Sequence, residues 1–165
     1  LFCILPELSA ISTPYEATDD LASLNTASIA ALQTAQIASL VTAQAQALTT
    51  AQAAALTTKQ VAAIVTADMA VLATDALSVL SSAQIIALRT DQALALTTQQ
   101  IVALATAQVA ALETDDFSAI STRSVAALTT AQVFAITTAQ AQALSTQQAV
   151  ALGTSQIAAL QTPDD

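Results

Sequence analysis

Polar and apolar positions along the chain recur with a period of eight. Counted from Thr18, the first position of each octad falls at residues 18, 26, 34 and so on to 154, giving eighteen units. That position is Thr in every unit except one, where Ser82 stands. The seventh position is Leu or Ile throughout, from Leu24 to Leu160, the sixth is Ala in fourteen units, and the third is Gln in twelve. The fourth is mostly aliphatic, so the unit reads Thr-x-Gln-aliphatic-x-Ala-Leu-x.

A continuous α-helix advances about 100° per residue, so each octad would carry its leucine about 80° further round and no face would stay apolar. A strand would hold register over an even period. Its corners would need Gly or Asn, however, and the chain has only Gly153 and Asn25. Ala, Leu and Gln also favour helix. The pattern therefore predicts one short helix per octad, about six residues or roughly 9 Å long, with positions four and seven on one side.

The recurring threonine reads as the start signal, an N-cap whose hydroxyl accepts from the first-turn N–H groups at about 1 kcal/mol per cap. The predicted caps are Thr18, Thr26, Thr34, Thr42, Thr50, Thr58, Thr66, Thr74, Ser82, Thr90, Thr98, Thr106, Thr114, Thr122, Thr130, Thr138, Thr146 and Thr154. Two details support this placement. Pro14 follows Thr13 and Pro163 follows Thr162, as expected for proline at the first helical position. Acidic residues cluster at positions two and three, as Asp19, Asp20, Asp68, Asp75, Asp91, Asp115 and Asp116, where a helix start favours them.

Helices this short cannot stand alone and must stack, so the expected fold is an all-α repeat solenoid. A slower order runs through position three: Asp20 and Ser28 precede four Gln, as do Asp68 with Ala76 and Asp116 with Ser124. Three 48-residue copies of six units result, 18–65, 66–113 and 114–161. One coil per six helices would produce such a super-repeat, with Leu and Ile pointing inward, and duplication alone could also leave it. Residues 1–17 break the phase and read as an N-terminal cap or interaction arm, while 162–165 begin a further unit or form the end.

Composition narrows the function. With 55% apolar and 9% charged residues the chain has ample material for a core, but with so few aromatic residues that core must be finely interdigitated. Phe117 and Phe134 are expected as core or gap filling. A net charge of −9 repels phosphate backbones and anionic lipid, which argues against nucleic acid and membrane surfaces as partners. No apolar run is long enough to predict a spanning helix. Cys3 has no partner for an internal disulfide and reads as a small apolar group or an intermolecular link. The start without Met reads as an excerpt or processed product, with no basic, cleavable signal segment.

With no His, one Cys and one Gly, neither a catalytic triad, a soft-metal cluster nor a phosphate loop can be assembled, so the chain is not expected to be an enzyme and no cofactor is expected. Asp20, Asp68, Asp116 and Asp164 could align between coils into a ladder for calcium. The plainer reading is first-turn acids complementing helix ends, because carboxylates one helix diameter apart are too distant to share an ion. The glutamines are most simply satisfied by backbone or by one another along the stack.

The stretch "LTTQQIVALAT", residues 96–106, resembles the opening of the repeats in transcription activator-like effectors. The likeness covers about one octad, the base-reading loop has no counterpart, and DNA binding is not carried over. The whole array is similar in style to Thr/Ala/Gln octad tracts within large secreted or surface proteins of bacteria. The expected function is therefore that of an extracellular or cell-surface structural protein: a filament subunit, stalk or spacer. Its expected partner is itself, head to tail, with the apolar start Leu1, Phe2, Cys3, Ile4 and Leu5 as the contact. Alternatives are a protein-binding solenoid, and an ice-binding threonine array whose hydroxyls capping would occupy.

Overall fold

The computed structural model describes residues 14–160. Among them are eighteen helices and no strand. The first, α1 (Pro14–Ser23), has ten residues; the rest, from α2 (Thr26–Ala31) to α18 (Thr154–Ala159), have four to six and follow one per octad. The expected arm at 1–17 lies mostly outside the described residues, as does the apolar start Leu1–Leu5. Helix α1 nevertheless begins at Pro14 and runs through Thr18 without a break.

Most octads hold a helix over positions one to six, cut to four or five residues in six of them, and then turn through positions seven and eight. In α5 (Thr50–Ala55), Leu56 has φ −58° and ψ 137°, and the following Thr57 has φ −73° and ψ 159°. The leucine N–H closes the helix by donating to the carbonyl three residues back, 3.3 Å from Leu56 N to Ala53 O. Two extended residues are too few to lay the next helix beside the last, so successive helices redirect the chain around a coil.

Stacking between coils sets the pitch. Every helix from α1 to α15 packs on the helix three further along: α1 on α4 (Thr42–Gln46), α2 on α5, and so on to α15 (Thr130–Phe134) on α18. Side-chain bonds also join the start of ten helices to the end of the one four earlier, as described below. One coil therefore takes between three and four octads. The six-per-coil geometry is corrected: six octads span more than one coil, and the 48-residue order is not the coil repeat.

The core is one continuous cluster along the axis. Position four supplies its centre, with Ile29, Val61, Met69, Ile85, Ile101 and Phe117 all at 0% exposure, and position seven lines it with Leu56, Leu88, Leu104 and their equivalents. Small Ala45, Ala53 and Ala93 alternate with these larger residues at position four, giving the fine interdigitation that the low aromatic content requires. Phe117 fills the core as expected. Phe134 does not: it stands at position five, points outward and is 59% exposed.

Candidate functional site at the seam between coils

The helix starts differ from the sequence expectation by one residue. Position one is already helical, so Thr26, Thr34, Thr42, Thr50, Thr58, Thr66, Thr74, Ser82, Thr90, Thr98, Thr106, Thr114, Thr122, Thr130, Thr138, Thr146 and Thr154 are first helical residues, not caps. Thr18 lies inside α1. The cap is position eight, whose carbonyl accepts the first intrahelical bond, as Thr57 O does from Val61 N at 2.9 Å. Proline and acids tolerate any place in the first turn, so neither signal fixes the cap to one residue.

Where position eight is Ser, Thr or Asn its side chain caps the helix: Gln60 N donates to Thr57 Oγ1 at 3.2 Å and Ser28 N to Asn25 Oδ1 at 2.9 Å. Where it is Val41, Ala105 or Gly153 no side-chain cap exists. The position-one hydroxyls are thus not used in capping, which removes that objection to an ice-binding array. Three to four octads per coil nevertheless distribute those hydroxyls around the axis instead of over one plane.

The constant element is the glutamine at position three. In all twelve glutamine octads its Oε1 accepts from the cap backbone N–H, at 2.7–3.0 Å. This is one half of a capping box, and it functions whatever residue occupies the cap. The amide nitrogen of the same side chain points the other way, into the preceding coil. Gln100 Nε2 donates to Met69 O at 2.9 Å and Leu72 O at 2.8 Å; Gln92 Nε2 donates to Val61 O and Ile64 O at 2.9 and 2.6 Å. Ten glutamines from Gln52 to Gln156 repeat this reach to carbonyls 28 to 31 residues earlier.

Each such glutamine is buried, at 8% exposure or less, and fully bonded. A buried amide left unpaired costs about 1–3 kcal/mol, so complete satisfaction is what makes a polar residue tolerable at this depth. The acceptors are helix-end carbonyls: those of position seven have no backbone donor, while those of position four, such as Ala53 O and Val61 O, also accept the N–H of the leucine or isoleucine three residues on. The expectation that backbone would satisfy the glutamines describes this arrangement. The two-sided clamp itself was legible in part: Ser or Thr followed three residues later by Gln, as in Thr49 to Gln52, is a capping-box spacing.

Position three carries other residues at two seats per 48-residue copy. Ser124 turns its hydroxyl to Ser121 Oγ at 2.8 Å and Thr98 Oγ1 at 3.1 Å. Asp116 accepts from the Thr90 hydroxyl at 2.8 Å, and Asp68 accepts likewise from Thr42. Both aspartates are buried, at 3% and 2% exposure, and in each the second oxygen, Oδ2, has no hydrogen-bond partner. Burial pushes both carboxyls above the ordinary 3.8, more strongly than the threonine bonds hold them down.

The expected calcium ladder is not formed among the described residues. Asp20 is exposed, Asp68 and Asp116 lie in separate seams, and Asp164 is outside the described region. No group of three or more His, Cys, Asp or Glu is placed there to hold a metal ion. No described helix is long and apolar enough to cross a membrane. On the surface, Arg89 pairs with Asp91 at 2.9 Å, which holds that exposed carboxyl below its usual range, and it also donates to Ala62 O.

Comparison with known families gives one match: the model of the ALTTAQ repeat fits three times, over residues 17–50, 61–98 and 109–146. No curated protein and no solved structure matches the chain. The matched segments cover more than half of the sequence, and the chain belongs to the ALTTAQ repeat family.

Proposed function

We propose that this member of the ALTTAQ repeat family is a structural element, a solenoid whose length is set by its number of octads and which extends by head-to-tail stacking. The observation that carries this reading is the sameness of the seam. Ten buried glutamines make the same coil-to-coil bonds, interrupted only at the two non-glutamine seats of each 48-residue copy. Any further coil of the same octad can add by the same bonds.

The magnitudes suit a spacer. Packed helices lie about 8–10 Å apart, so with three to four octads per coil each octad adds about 2–3 Å of length. The outward positions vary without forming a binding surface: the large exposed residues Ile86, Leu94 and Val102 occupy successive octads and so point in successive directions around the coil.

The last described coil leaves part of the core row open. Ile157 is 44% exposed at position four, where Ile29, Ile85 and Ile101 are fully buried. A following coil, from the same chain or a second copy, would cover it. Negative-stain electron microscopy over a concentration series, on this chain and on a variant with residues 66–113 duplicated, tests the reading. Rods that lengthen by roughly 12–20 Å in the variant, and that join into thin fibres as concentration rises, are expected. A compact particle, or a length indifferent to the added copy, would contradict it.

A further inference from the structure

The register of the glutamine bonds points to the carbonyl opposite each of the two buried aspartates. Each glutamine reaches the leucine-position carbonyl 28 residues earlier, which for Asp116 is Leu88 and for Asp68 is Leu40. Among the described residues neither carbonyl receives a backbone or side-chain donor. An orphaned carboxyl oxygen thus shares the seam with an orphaned carbonyl, two acceptors where every glutamine seam holds a donor and an acceptor.

From this pairing we infer that Asp68 and Asp116 are proton-operated clamps. Each carboxyl, when protonated, donates through Oδ2 to the Leu40 or Leu88 carbonyl and ties its coil down as glutamine does. When ionised, it leaves a buried charge against an acceptor and loosens that joint. A neutral carboxylic acid has the donor and acceptor pair of a primary amide, whereas a carboxylate has acceptors only. The arrangement occurs twice, 48 residues apart, with the same threonine contact 26 residues earlier. Asp20, the third aspartate in phase, is exposed and has no such seam among the described residues.

The surroundings favour the proton. Asp116 sits in α13 (Thr114–Ala119) with Glu113 and Asp115 beside it, and α10 (Thr90–Ala95) beneath contributes Asp91, whose charge Arg89 partly offsets. Helix α16 (Thr138–Ala143), packed on its other side, carries no titratable group. Asp68, in α7 (Thr66–Met69), packs against α4, which has none, and α10, which has Asp91. Burial is the first cause raising both carboxyls above 3.8; at Asp116 the three neighbouring carboxylates add to it.

The sign follows from linkage. A folded-state value above the unfolded one means that the folded chain binds the proton more tightly, so these groups stabilise at low pH, and that stability is lost as pH rises through the folded value. The test is a carbon-13 carboxyl titration of the whole chain, assigned with D68N and D116N, alongside thermal melts of both variants and of D20N. Asp68 and Asp116 are expected to titrate above 3.8. Asparagine, a permanent donor, is expected to raise the melting temperature at pH 7 by a few degrees, the gain shrinking toward pH 4, while D20N changes neither. Titration at or below 3.8 would overturn the inference, as would a loss on Asn substitution that is the same at every pH. A rise in melting temperature on adding calcium that D116N abolishes would overturn it too, because the orphaned oxygens would then be cation ligands.

Discussion

The side-chain nitrogen of Gln100 lies 2.8 Å from the carbonyl oxygen of Leu72, 28 residues earlier, while its Oε1 lies 2.8 Å from the backbone nitrogen of Thr97. One side chain therefore starts its own helix and fastens that helix to the end of another. Replacing Gln100 by Leu keeps much of the volume and removes both arms, leaving buried carbonyls and a cap N–H unpaired. A loss of about 2–4 kcal/mol is expected from urea unfolding. Q100E, which sets a charge against the Met69 and Leu72 carbonyls, is expected to cost more at pH 7 than at pH 4. Equal stability for Q100L and the parent would remove the clamp.

The one-residue shift of the caps makes adjacent threonines unequal. Thr57 Oγ1 accepts from Gln60 N, whereas Thr58 is the first helical residue and exposed. T57A is expected to lose about 1 kcal/mol and T58A less than about 0.5. The reverse order in paired thermal melts would restore position one as the cap.

Two phenylalanines separate core from surface. Phe117 is fully buried in the axial cluster and Phe134 faces out. Truncation of Phe117 to Ala is expected to cost about 3–5 kcal/mol, and of Phe134 to Ala under about 0.5. Comparable losses at both sites would mean that Phe134 is covered.

How much of this was legible follows from the kind of signal each feature leaves. The Leu at position seven and the aliphatic residue at position four, as in Ile101 and Leu104, are spaced three apart and announce a short helix with one inward face. That is a local pattern, and the all-helical solenoid was read from it. The cap was misplaced because Thr49 and Thr50 both offer a hydroxyl, and only backbone angles decide which is extended. The coil size left no local trace, since Gln100 to Leu72 is a contact across a full coil between residues that look alike in every octad. The sequence did show a 48-residue order, and its two buried aspartates share one environment, but that order counts copies and not coils. Phe134 was assigned inward on hydrophobicity alone, although position five lies on the opposite side of the helix from the core.

Restoring a clamp should stabilise. Ser124 occupies a glutamine seat, and the register assigns it the carbonyl of Leu96, which has no donor among the described residues. S124Q is expected to gain about 0.5–1.5 kcal/mol despite losing the contact with Thr98. A lower unfolding midpoint would show that the seam is closed too tightly there to admit the longer side chain.

The coil itself is tested most directly by a covalent link across one seam. Thr98 Oγ1 and Ser124 Oγ are 3.1 Å apart although 26 residues separate them. In a chain with Cys3 replaced by Ser, the pair T98C and S124C is expected to form an intramolecular disulfide nearly completely on mild oxidation, with helix content unchanged. A control pair six octads apart, T98C and T146C, is expected to stay reduced. Failure of the first pair together with oxidation of the second would contradict a coil of three to four octads and the glutamine seam built on it.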